Sequence, residues 1–364
     1  MGSREIPAAL SAWLGPGGCA IFQVGSLVSR IAGATPDAGR GECIPVGFFV
    51  DRAVVTHVST FFFKEVSLMT HPIIRGSLVA LITPFHEDGS VNFEKLGELI
   101  DFHLAHKTDA LVILGTTGES ATMSHEEDNA VCEFTVKRVA HRIPVIVGTG
   151  SNSTQTMLEK SLASEKLGAD GLLLITPYYN KTNEEGMYRH FITVADAVHI
   201  PCILYNVPGR TGCSISPACV ARLAKHTNIV GIKEASGNMS YAAKIAKLLS
   251  DDFVMYSGND DMIVPMLSLG ASGVISVLAN VAPEATHDMV TDYLEGRTDA
   301  ARRAQLSWLD VINGLFIEVN PIPVKEALNL MGFDVGGFRA PLYPMTEEHR
   351  AALKAALTAA GLVK

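Results

Sequence analysis

From Gly76 onward the chain repeats one unit eight times, and that period limits its possible folds more than any other feature. Apolar runs of strand length recur at residues 78–82, 110–114, 145–147, 172–175, 203–205, 229–232, 253–256 and 274–277. Each is bounded by Gly, Pro or Asn, and the stretches between them carry helical spacing. Residues 93–106 are an example: Leu96, Leu99, Ile100 and His103 recur at helix spacing after Asn92 in a capping position. Residues 154–167 are another. Strands that alternate with helices pair in parallel, because each parallel connection needs a crossover. Eight such units predict a closed (β/α)8 TIM barrel of the α/β class. An open dinucleotide-binding sheet would want G-x-G-x-x-G after the first strand, where this chain has Thr83-Pro84-Phe85. Beyond about residue 284 only helical periodicity remains, at 301–316, 324–331 and 347–362. The expected organisation is a barrel over 69–295, then the last barrel helix region and a small C-terminal helical appendage over 296–364.

Residues 1–68 stand apart. They hold neither a 3.6 nor a 2 period and are interrupted by Gly15-Pro16-Gly17-Gly18 and Gly39-Arg40-Gly41. A secretory signal fits poorly because Glu5 offsets Arg4, and a transit peptide fits poorly because Asp37, Glu42, Asp51 and Glu65 make the stretch too acidic. Two expectations are left. One is a real extension without fixed structure. The other is non-native sequence: Lys64-Glu65-Val66 can be encoded by codons that contain a bacterial ribosome-binding sequence, and only Ser67 and Leu68 separate it from Met69. Met69 would then be the true start. The nucleotide sequence decides, since codons without a purine-rich site remove the second expectation.

A formal charge of −9 with no long Lys/Arg run argues against nucleic acid or an anionic membrane as the main partner. No apolar run reaches the roughly 18 residues of a membrane span. The six cysteines include no C-x-x-C pair and read as free thiols of a reducing, cytoplasmic compartment. The histidines lack H-x-x-x-H spacing and Asp260-Asp261 is a lone carboxylate pair, so no metal site is expected.

In a barrel of this kind the reactive groups lie at the C-terminal ends of the strands. The runs lead there into Gly115-Thr116-Thr117-Gly118-Glu119-Ser120, Thr176-Pro177-Tyr178-Tyr179-Asn180, Tyr205-Asn206-Val207-Pro208-Gly209-Arg210, Lys233-Glu234-Ala235-Ser236-Gly237 and Ser257-Gly258-Asn259. Lys233 shares alternation parity with Ile229 and Gly231, so all three are expected to face one side. If that side is the barrel interior, desolvation frees the neutral amine that Schiff-base chemistry requires. Tyr205 and Thr117 could relay protons beside it. Arg210, in a glycine-flanked loop, could take a carboxylate in bidentate fashion. Taken singly, each residue is more often structural or solvated: a wet lysine past a strand, a core tyrosine, a surface arginine.

Together, the segments GTTGES, TPYYN, YNVPGRTG and GIKEASG, each in order at its strand end, resemble the dihydrodipicolinate synthase family of pyruvate-dependent class I aldolases. The resemblance runs over about residues 73–364 and takes in Asn320-Pro321-Ile322-Pro323-Val324-Lys325. It implies a lyase that holds pyruvate as a Schiff base on Lys233 and condenses it with aspartate semialdehyde, on the route to diaminopimelate and lysine, with no cofactor. Tyr205, Thr117 and Tyr179 would form the proton relay, with Tyr179 reaching into a second subunit of a homotetramer built as a dimer of dimers. Arg210 would receive the aldehyde substrate's carboxylate, Thr116 and Thr117 the pyruvate carboxylate, and Gly258 and Ile275 would line the pocket. The family's allosteric lysine site maps onto Ser120, Ala121, His125, Asn152 and Tyr178. Asp128 and Thr156 depart from lysine-sensitive members, which carry histidine and glutamate there, so weak or absent feedback inhibition is expected. The nearest rival is a sister aldolase acting on N-acetylneuraminate or a 2-keto-3-deoxy sugar acid. A catalytically silent barrel used for binding is the rival of a different kind.

Overall fold

The computed structural model describes residues 74–364 and the backbone of two short strands, Ala12–Leu14 and Ala20–Phe22, which pair antiparallel. The readings of 1–68 otherwise lie outside the described residues. The chain forms two compact units, Met1–Ser67 and Leu68–Lys364.

The second unit is a closed parallel barrel. Its strands are β1 (Gly76–Ala80), β2 (Ala110–Ile113), β3 (Val145–Gly148), β4 (Gly171–Ile175), β5 (Cys202–Asn206), β6 (Ile229–Glu234), β7 (Val254–Ser257) and β8 (Gly273–Ser276). They pair in chain order, and β8 returns to β1. Both faces of every strand are covered, which is why the sequence shows continuous apolar runs and not alternation with polar residues. The two faces still pack into separate layers. Leu78, Val112, Ile146, Leu173, Ile203, Tyr256 and Ile275 fill the barrel interior. Val79, Leu111, Val145, Leu172, Leu204 and Val274 meet the helices outside.

Strict alternation fails in one strand. Cys202 pairs with Ile229, but the next residue, Ile203, pairs with Gly231. The extra residue, Val230, forms a bulge and resets the facing of what precedes it. Ile229 therefore packs in the outer layer and Val230 in the interior, contrary to the parity expected for Ile229.

The eight barrel helices are α1 (Phe93–Ala105), α2 (His125–Val139), α3 (Thr154–Lys166), α4 (Glu184–Ala195), α5 (Pro217–Leu223), α6 (Met239–Ala246), α7 (Ile263–Ser268) and α8 (Pro283–Leu294). Asn92 caps α1 as its position suggested, its side chain accepting from the Lys95 amide, and the spaced residues Leu96, Leu99, Ile100 and His103 are buried. Four more helices follow: α9 (Thr298–Ser307), α10 (Leu309–Leu315), α11 (Ile322–Leu330) and α12 (Glu347–Ala359). The periodicity over 301–316 suggested one helix. It breaks at Trp308 because α9 packs on α8 while α10 packs on α12, which one straight rod cannot do. The Gln305 side chain on α9 donates to the Asp260 carbonyl and accepts from the Val264 amide, tying the appendage to the end of β7.

Among the described residues, no helix is long and apolar enough to cross a membrane, and Cys132, Cys202, Cys213 and Cys219 are free thiols.

Candidate active site

The backbone turns sharply where the strands deliver their polar residues. Leu114 and Glu119 beyond β2 (both φ 56) and Tyr179 beyond β4 (φ 66) sit in the left-handed region. Residues with a Cβ adopt that conformation at a cost, and such strain concentrates at functional sites.

Lys233 is the fifth residue of β6, in register with Tyr205 on β5 and Tyr256 on β7. It is 6 % exposed, and its Nζ lies 4.6 Å from the Tyr205 ring centroid. Its neighbour across the strand end is Gly258, where a Cβ would come within 3.1 Å of Lys233 Cε. The missing side chain leaves room for the lysine stem. Burial drives the Lys233 ammonium down to about 8; the Asp260 carboxylate opposes this and the Arg210 guanidinium assists it. At neutral pH that shift raises the fraction of free amine by about 300-fold over an ordinary lysine. Asp260 is itself buried, with Oδ2 accepting from the Val277 and Leu278 amides at 2.9 Å each.

Tyr205 is buried, and burial raises its hydroxyl above the usual range while a hydrogen bond with the Thr116 side chain pulls the other way. Thr117 is also buried, and its hydroxyl accepts from Asn320 Nδ2 at 2.9 Å. Arg210 lies in a single helical turn, Pro208–Thr211, and its Nη2 donates to the Asn320 carbonyl at 3.1 Å. Thr116, Thr117, Tyr205, Arg210, Lys233 and Gly258 thus line one small cavity of about 70 Å³, with Asn320 and Phe316 over it. Ile275, expected in the wall, is fully buried one layer deeper in the interior packing, and Val277 holds the wall position. Tyr179 stands outside the cavity of its own chain, 91 % exposed.

A larger cavity of about 470 Å³ shares Thr116, Tyr205 and Arg210 with the first. Its far side is built from Ser120, Ala121, His125 and Tyr178, together with Asp128, Thr156 and Lys160. Lys160 forms a largely buried ion pair with Asp128 at 2.8 Å and donates to Ser120 Oγ at 3.0 Å. Asn152 is not in that wall; its carbonyl accepts from Asn180 Nδ2.

Sequence reasoning did not single out Asn320 or Lys160 as site residues. Asn320 stands in a segment noted only for its resemblance, and it reaches Thr117 from 203 residues away. Nothing local marks Lys160, which lies among ordinary polar positions of α3.

Comparison with known proteins gives a consistent answer. Residues 73–360 match the model of the dihydrodipicolinate synthetase family. A 4-hydroxy-tetrahydrodipicolinate synthase of Caldicellulosiruptor saccharolyticus is 55% identical over 291 residues, covering 80% of this chain and 98% of the relative. The crystal structure of dihydrodipicolinate synthase from Aquifex aeolicus superposes with a TM-score of 0.78 at 45% identity, covering 79% of this chain and 98% of that one. The chloride-inhibited dihydrodipicolinate synthase from Acinetobacter baumannii, complexed with pyruvate, gives a TM-score of 0.78 at 42% identity, covering 80% and 100%.

Proposed function

The chain belongs to the dihydrodipicolinate synthetase family, and from that premise we infer that it condenses pyruvate with L-aspartate 4-semialdehyde to form 4-hydroxy-tetrahydrodipicolinate, as its curated relatives are named for doing. The observation that carries the chemistry is a desolvated amine, Lys233, at the wall of a cavity that also holds two threonines, a tyrosine and an arginine.

The neutral Lys233 nitrogen attacks the ketone carbon of pyruvate, and the carbinolamine loses water to give an imine. Once protonated, the imine draws electron density from the methyl group, which gives up a proton and becomes an enamine carbon. That carbon attacks the aldehyde, and the aldehyde oxygen takes a proton. The substrate's own amine then adds to the imine carbon, expels Lys233 and closes the six-membered ring. One water is lost overall, so the enzyme ends the cycle unchanged. Thr116 and Thr117 receive the pyruvate carboxylate through their hydroxyls and the turn's amides. Tyr205 and Thr117 move protons between imine and solvent. Tyr179, solvent-exposed and held by a left-handed backbone, supplies the third hydroxyl of the relay to a second copy. The working assembly is then at least a dimer, as a homotetramer of two dimers, in the cytoplasm.

Arg210 separates this reading from the rival sugar-acid aldolases, because a polyol aldehyde has no carboxylate for that guanidinium. A coupled assay run in parallel with aspartate semialdehyde and with N-acetylneuraminate tests the assignment: turnover of the second without the first refutes it. Arg210→Met should lower kcat/KM for the aldehyde by about 10²-fold, the usual loss when one partner of a close charge pair is removed. The pyruvate adduct on Lys233 should form in this variant at close to the normal extent.

Free lysine in the millimolar range should inhibit turnover weakly or not at all. Thr156 offers the effector ammonium no carboxylate, and Lys160 already pairs with Asp128 in that wall. Strong inhibition in a steady-state assay would refute this.

A further inference from the structure

A buried ion pair far from Lys233 in sequence holds the loop that carries the two threonines. Glu119 closes that turn two residues after Thr117, in a left-handed conformation and 4 % exposed. Lys325 lies on the inward face of α11 with no exposed surface. Its Nζ donates to Glu119 Oε1 at 2.7 Å and to the Gly337 carbonyl at 2.6 Å, and it sits 4.2 Å from the Phe85 ring centroid. The other Glu119 oxygen accepts from the Arg339 amide at 3.1 Å. Both charges are therefore fully engaged with fixed partners, which is the arrangement a buried pair needs.

The same short span that ends in Lys325 begins with Asn320. Asn320 Nδ2 donates to the Thr117 hydroxyl, and the Asn320 carbonyl accepts from Arg210. One rigid segment of the appendage thus touches the exit of the threonine turn, the reacting hydroxyl on it, and the arginine opposite.

We propose that Lys325 and Glu119 are positioning residues: their buried pair fixes the 115–119 turn against α11, so that Thr117 and Arg210 are held in register across the cavity by Asn320. This rests on the pyruvate-lyase reading above and adds to it a role for the C-terminal helices. A buried pair kept only for stability would leave substrate binding alone once stability is restored. A positioning pair would not.

The test uses the full-length enzyme and three variants. Lys325→Met leaves the Glu119 carboxylate buried without its cation and should lower the melting temperature sharply. The double variant Glu119→Gln with Lys325→Met removes both charges and should recover most of that loss. It should nevertheless keep a pyruvate KM raised by at least about 10-fold, with adduct formation slowed by a similar factor, because sub-ångström placement of the threonine turn is gone. Hydrogen exchange at residues 115–120 should be faster than in the parent while the barrel strands are unchanged. Lys325→Arg, which keeps the charge, should lie between parent and double variant in KM. A double variant with parental KM and parental exchange in that turn overturns the proposal. If the parent itself forms no pyruvate adduct, the underlying functional reading has failed instead, and the two failures are told apart by that one control.

Discussion

Replacing Lys233 with methionine should abolish the borohydride-trapped adduct with pyruvate and lower turnover by at least about 10³-fold, as loss of a covalent nucleophile does. Methionine has a similar stem and no proton to lose, so the cavity wall should survive. Intact-protein mass after reduction reads the adduct directly, and an adduct in the variant would exclude this amine as its site. Stability should move the other way. The folded Lys233 titrates near 8, below its ordinary 10.5. The unfolded chain therefore binds more protons between those two values, and stability rises with pH across that window. Below pH 8 the buried ammonium is a full liability, so the methionine variant should be more stable there by about 1–3 kcal/mol. That advantage should fade as pH climbs toward 10.5. A melting-temperature series across pH checks the sign.

Gly258→Ala should cost both activity and stability, though it adds only one methyl group. The new Cβ would sit 2.5 Å from the Ala235 Cβ, 3.0 Å from the Glu234 carbonyl and 3.1 Å from Lys233 Cε. The first two neighbours belong to the end of β6 and cannot step back, because the Gly258 amide already bonds that same carbonyl at 2.7 Å. The strain falls on the strand junction and on the lysine stem. Overpacking of this kind destabilises by about 1–3 kcal/mol. Displacing the nucleophile by a fraction of an ångström should lower kcat/KM for pyruvate by about 10²-fold. Gly97→Ala is the control: on α1 its Cβ meets Phe134 at an ordinary 3.4 Å, and activity should not change. Equal effects at both glycines would remove the steric argument.

Much of this molecule could be read before its structure was seen, for a physical reason. Parallel strands covered on both faces must be apolar throughout, so each barrel strand announced itself as a run, and each polar cluster after a run marked the mouth of the barrel. Lys233, Tyr205, Thr116, Thr117 and Arg210 were legible because strand ends converge there. Facing was less legible. Period-two reasoning assumes an unbroken ladder, and the Val230 bulge breaks it. The helix boundary at Trp308 depended on two different packing partners, which a single periodicity cannot encode. The supports of the site were hidden for a further reason. Glu119 and Lys325 are 206 residues apart, and Asn320 and Thr117 are 203 apart. Such pairs leave no local pattern. One signal existed: Lys325 occupies an apolar-face position of its helix, where an unpaired lysine would not be tolerated.

The order of the chain carries its own consequence. Domains generally fold as units, N-terminal first during synthesis, and here β8, which closes the sheet on β1, precedes α11 in the chain. A polypeptide halted after α8 would contain all eight strands and Lys233, yet without Asn320 and Lys325 it would lack the struts that steady the threonine turn. Chains that end before Asn320 should therefore bind the keto acid more weakly than the whole chain, because the contacts to Thr117 and Glu119 come from residues 320–325.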